Sequence, residues 1–89
     1  MAMNIDELKK LKAKARLLEP LVRVGKNGIT EQMIEHIHKM ILKRKLVKIK
    51  FLESFLESKA KKEAAQELAF KTGSDVVDVV GNVVVLYRR

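Results

Sequence analysis

A chain of 89 residues can bury one hydrophobic core but not two, so a single domain spanning 1–89 is expected, with little room for a deep catalytic cleft. Hydrophobic residues make up 47% of the chain and aromatics only 4%, which points to an aliphatic core. The absence of cysteine excludes disulfides, thiolate nucleophiles and Cys-based zinc sites, and suits a reducing cytoplasm. The net charge of +8 is segregated: residues 1–50 carry thirteen Lys and Arg against five Asp and Glu, residues 51–89 six against six. Solubility needs no such placement, whereas a polyanion needs a continuous positive surface, so nucleic acid is the leading partner class. No apolar run approaches membrane-spanning length and the charged start lacks a secretory apolar segment, so no membrane role is expected and the cytoplasm is the expected location.

In chain order, Met3 is a second methionine, which suggests that the two residues before it are an addition to the domain. Asn4 can cap a helix with Glu7 three residues on, and Ile5, Leu8, Leu11, Ala15 and Leu18 recur at helical spacing until Pro20. Lys9, Lys10, Lys12, Lys14 and Arg16 occupy the remaining faces, giving one apolar stripe and an otherwise basic surface. Residues 21–24 form a short strand that includes Arg23, and Gly25-Lys26-Asn27-Gly28 ends it. Thr30 caps a second helix, with Met33, Ile34, Ile37 and Ile41 inward, that ends near Arg44.

Val47, Ile49 and Phe51 alternate with Lys48 and Lys50, the period of a strand with one buried and one wet face, so both lysines face outward. The repeated tetrapeptide Phe-Leu-Glu-Ser at 51–54 and 55–58 is too short for a solenoid unit and reads as coincidence. From Ser58 a third helix carries Ala64, Ala65, Leu68 and Ala69 on one side, closed by Gly73 in a left-handed cap. Residues 76–80 and 83–87 flank Gly81-Asn82 as a hairpin. The expected fold is a compact α/β domain of order α-β-α-β-α-β-β, with a four-stranded mixed sheet and packed helices.

The strand, glycine loop and helix unit carries the functional signal. Two glycines free the backbone for unusual conformations and let a partner approach the main chain without meeting a Cβ atom. The following helix start favours a phosphate oxygen, and Lys26 adds a mobile charge. Asn27 could donate to phosphate, sugar or base, or simply take a left-handed turn conformation. Glycines in short connections are commonly only turn formers, but a basic first helix and Arg23 beside the loop strengthen the RNA reading.

Several segments resemble one known family. These are the basic first helix ending in Leu18-Glu19-Pro20, then Val22-Arg23-Val24-Gly25-Lys26-Asn27-Gly28-Ile29-Thr30, Leu46-Val47-Lys48-Ile49-Lys50, and the closing Val79-Val80-Gly81-Asn82-Val83-Val84-Val85-Leu86-Tyr87-Arg88. As an ordered set they resemble the CRM domain, named for chloroplast RNA splicing and ribosome maturation, in its stand-alone YhbY-like form. The resemblance implies a fold similar to the C-terminal domain of bacterial initiation factor three, and association with precursors of the large ribosomal subunit. It also maps a GxxG RNA-binding loop onto Gly25, Lys26, Asn27 and Gly28, and a basic surface onto neighbouring lysines and arginines. KH domains place GxxG between two helices, whereas here a strand precedes it, so KH clamping geometry is not implied.

Other residues carry weaker signals. His36 and His38 stand two apart on a helix and point to different sides, so they do not form a metal pair. Glu31 and Glu35 complement a helix start better than they serve acid-base chemistry. Phe51, Phe55 and Phe70 are expected in the core, with Tyr87, beside Arg88 and Arg89, a minor candidate for base stacking. The expected site is therefore Lys9, Lys12, Lys14, Arg16, Arg23, the Gly25 to Gly28 loop and Thr30, acting on RNA in a monomer that needs no cofactor, metal or small-molecule substrate. The alternative is a protein-binding adaptor that sets the basic first helix against an acidic partner.

Overall fold

The computed structural model describes residues 4–89, so the reading of the first two residues lies outside the described region. Helix α1, Ile5–Arg16, starts where expected because Asn4 Oδ1 accepts the Glu7 N–H at 2.8 Å while Asn4 Nδ2 donates to Glu7 Oε1 at 3.0 Å. This reciprocal cap satisfies a donor that the first helical turn leaves unpaired. Strand β1, Val22–Val24, is followed by α2, Glu31–Arg44, capped by Thr30 Oγ1, which accepts the Met33 N–H at 3.2 Å. Strand β2, Leu46–Phe51, leads into a one-turn helix α3, Glu53–Leu56, and then α4, Lys61–Thr72, ended by Gly73 at φ 66°. Strands β3, Asp75–Val80, and β4, Val83–Tyr87, complete the chain.

The sheet order is β1-β2-β4-β3. β1 runs parallel to β2, as its crossover through α2 requires, and β4 is antiparallel to both neighbours. The mixed four-stranded sheet is thus as expected, with β4 rather than β3 beside β2, because the hairpin folds β4 back between them. Helix α3 is the element that the sequence pattern did not reveal. The tetrapeptide echo places Phe51 at the end of β2 and Phe55 in α3, and their buried rings meet with centroids 5.3 Å apart.

Both faces of the sheet are covered, but unequally. On one face Val47, Ile49 and Phe51 of β2, with Val84 and Leu86 of β4, pack against Ile37 and Ile41 of α2 and Ala64, Ala65 and Leu68 of α4. The alanines let α4 lie close to the strands, and removing Leu68 there would cost about 2–5 kcal/mol. On the other face Ala15 of α1 is buried with Leu46, Val77 and Val85, and Leu8, Leu11 and Leu18 pack around them. The face expected to be wet is therefore roofed by α1 over part of its area. Lys48 is half-buried and its Nζ donates to the Leu18 carbonyl at 3.1 Å, while Lys50 is exposed as expected. Phe70 departs from the core expectation: it is 88% exposed, because the apolar stripe of α4 runs through Ala65, Leu68 and Ala69 and leaves Phe70 on the solvent side.

Candidate nucleic-acid interface

The glycine loop sits at the carboxyl ends of the parallel pair β1 and β2. Gly28 N–H donates to the Gly25 carbonyl at 2.9 Å, closing a tight turn whose tip is the exposed pair Lys26 and Asn27. Only Gly28 takes a left-handed conformation, at φ 72°. Gly25 does not need its glycine for conformation. A Cβ there would lie 3.4 Å from Leu52 Cδ1 and 3.9 Å from Ser54 Oγ, ordinary contact distances. The expectation that both glycines serve unusual backbone geometry therefore holds for Gly28 alone.

Helix α3 is the platform under this turn. Leu52 N–H donates to the Val24 carbonyl at 2.8 Å, and Phe55 Cε1 lies 4.0 Å from where a Cβ on Gly28 would stand. The start of α2 is a poorer anion site than the sequence suggested. Thr30 Oγ1 already serves Met33 N–H, and exposed Glu31 places a negative charge in the first turn. At the turn itself, the N–H groups of Lys26 and Asn27 have no partner among the described residues.

Cations extend from the loop toward α1. Val22 and Val24 pack into the α2 and α4 side, so Arg23 between them points to the α1 side, beside its strand partner Lys50. Lys48 follows two residues away on the same face and lines a groove with Lys12 and Arg16 of α1. Lys9 precedes Lys12 by three residues and continues this flank of the helix. The structure therefore sets Lys12 and Arg16 of α1 on the same face of the sheet as Lys48, Lys50 and Arg23, with Lys9 one turn back along α1 and the exposed Lys26 turn at the end of that face. Neither Lys48 nor Lys50 belonged to the expected site, although their alternation with buried residues was the signal that could have included them.

Lys14 stands apart, two residues from Lys12 and hence about 200° around the helix, on the outer face. Tyr87 is half-buried under α1 at the end of the sheet away from the loop, and cannot stack on a base held at the loop. The basic residues of the first half are not all gathered together: Lys43, Arg44 and Lys45 close α2 at that same far end, where Arg88 N–H donates to the Lys45 carbonyl at 2.9 Å. His36 and His38 are exposed, and His38 Nδ1 lies 3.1 Å from the Thr72 carbonyl oxygen. Among the described residues no helix is long and apolar enough to cross a membrane.

Known proteins are similar to this chain in sequence and in fold. The chain is 41% identical over 78 residues to "Probable RNA-binding protein MJ0652" of Methanocaldococcus jannaschii, an alignment that takes in 88% of this chain and 58% of the archaeal protein. It is 35% identical over 79 residues to "Probable RNA-binding protein YqeI" of Bacillus subtilis, covering 89% of this chain and 80% of that one. The chain thus spans little more than half of the archaeal relative. The solution structure of the Staphylococcus aureus protein SAV1595 superposes with a TM-score of 0.78 at 32% identity, covering 99% of this chain and 90% of the other. The profile of the CRS1 / YhbY (CRM) domain matches residues 3–88, and this chain belongs to that family.

Proposed function

We propose that this chain binds structured RNA, with ribosomal RNA or its large-subunit precursor as the target, and that it works in the cytoplasm as a monomeric binding module with no catalytic step. The observation that carries the reading is the run of cations from Lys9 through Arg16, Lys50 and Arg23 to a turn whose tip amides have no partner among the described residues. Phosphate oxygens suit both parts. The Lys26 and Asn27 N–H groups offer short directional bonds, and the side chains offer charge along a strand of backbone. Three of the four aromatic residues are buried or half-buried and the exposed one, Phe70, lies on α4 on the other side of the sheet, so affinity comes from the nucleic-acid backbone and its shape rather than from aromatic stacking.

The names of the archaeal and Bacillus relatives support RNA as the partner, and the CRM resemblance supports precursors of the large subunit as that RNA. Titration with a folded fragment of large-subunit ribosomal RNA tests the reading. With about six phosphates neutralised, affinity should fall roughly a thousandfold between about 50 and 200 mM salt. A shallow slope, or no binding, overturns it and leaves the adaptor reading of the first helix. Crosslinking in cells followed by sequencing of the bound RNA identifies the target.

A further inference from the structure

The groove between the second half of α1 and the hairpin has a volume of about 260 Å³ and an unusual lining. Its floor is apolar, from Val80, Val83 and Val85; its rim is cationic, from Lys12, Arg16 and Lys48; and it holds a single carboxylate, Asp78. Asp78 is there because of a β-bulge. In β3, Val76 pairs with Leu86 and Asp78 with Val85, which leaves Val77 unpaired and shifts the alternation by one residue. Val77 therefore joins the core under α1, and Asp78 faces the same side. Strict alternation from Val76 would have driven this carboxylate into the apolar core against α2 and α4, a costly burial.

The re-aimed carboxylate is only partly engaged. Oδ1 accepts the Val79 N–H at 3.0 Å and lies 4.0 Å from Lys12 Nζ, while Oδ2 has no partner among the described residues. At about 260 Å³ the groove can enclose a single base and leaves larger groups on its rim, since pockets that enclose drug-sized ligands usually measure about 300–1,000 Å³. Asp78, beside Lys12, accepts hydrogen bonds above an apolar floor, and Arg16 on the rim attracts an anion. Resting on the RNA reading above, we propose that this groove holds one unstacked nucleotide of the bound RNA. Its base lies against Val80, Val83 and Val85, its exocyclic amino group donates to Asp78, and its phosphate sits on Arg16. A base that offers an amino group is preferred, and uracil, whose carbonyl oxygens would face the carboxylate, is disfavoured.

The test uses two RNA hairpins with identical stems and single-stranded loops of cytidine or uridine, titrated at constant salt. The native protein should bind the cytidine loop roughly tenfold more tightly. Asp78→Ala should abolish that ratio even if loss of the negative charge strengthens binding to both hairpins. Because Asp78→Ala also removes a contact between α1 and β3, a second measurement uses the native protein alone. Titration with cytidine monophosphate should shift the amide resonances of residues 78–85, and uridine monophosphate should shift them less. Equal affinity for the two hairpins with a steep salt response sinks the groove assignment and leaves the RNA reading standing, as does a ratio that survives Asp78→Ala. If neither hairpin binds, both fail.

Discussion

At the loop end of the sheet, Arg16, Arg23, Lys26 and Lys50 have no carboxylate within ion-pairing distance among the described residues, and the turn beside them leaves two backbone N–H groups unpaired. At the other end, about 20 Å away along the six residues of β2, Lys43 and Arg44 stand in the last turn of α2, where cations complement the helix dipole. There Arg89 pairs with Glu7 at 3.2 Å, and the Arg88 guanidinium lies over Gly73. Among the described residues only Arg89 of these far-end cations is ion-paired, and the exposed Lys43 and Arg44 have no carboxylate partner either, so what sets the loop end apart is that its cations border unpaired backbone N–H groups. A count of lysines and arginines cannot tell these situations apart, since each charge takes its role from what surrounds it.

The largest expected effect separates the two ends directly. Replacing Arg16, Arg23 and Lys50 together by Ala should lower the slope of log affinity against log salt by about 3, whereas Lys43→Ala with Arg44→Ala should leave it unchanged. Equal effects at both ends, measured by anisotropy across a salt series, would erase the contrast. Next in size is the platform under the loop. Phe55→Ala should cost about 3–5 kcal/mol in urea unfolding, since it empties a buried site that supports both Phe51 and the turn.

The two loop glycines sharpen the contrast within the turn. Gly28→Val should cost about 1–3 kcal/mol because a β-branched residue is strained at φ 72°. Gly25→Ala should change stability by less than about 0.5 kcal/mol, and thermal unfolding of the two variants reads the difference. The smallest effect lies at the far end, where Lys45 caps α2 at φ 69°. Lys45→Gly should gain about 0.5–1 kcal/mol, strain relief of about 1–2 kcal/mol being partly offset by glycine entropy, with RNA affinity unaltered. A loss of stability there would show that the lysine stem does packing work worth more than the strain.

Much of the fold was legible because its signals are local. Asn4 with Glu7, Thr30 with Met33 and Gly73 mark helix ends through bonds that span only a few residues. The hairpin around Gly81 was legible for the same reason. Helix α3 was not, since four residues are too few to show a helical period, and neither was the exposure of Phe70 on a helix whose buried side is mostly alanine. Within the site, the loop and the Lys9, Lys12 and Arg16 flank could be read from spacing, but the contribution of Lys48 and Lys50 depended on which face α1 covers.

By itself the sequence determined the types of every element but α3, the mixed sheet, the core positions of α2 and β2, and the glycine turn beside a basic strand, because periodicity, caps and turn residues act over short stretches of chain. Tertiary structure alone decided that β4 lies between β2 and β3, that α1 roofs one face and leaves Lys50 open beside Arg23, and that the bulge at Val77 carries Asp78 into a cationic groove. Those outcomes depend on contacts between residues far apart in the chain. A one-residue change of strand phase, or the choice of face for a helix, moves whole sets of side chains while leaving every local pattern as it was.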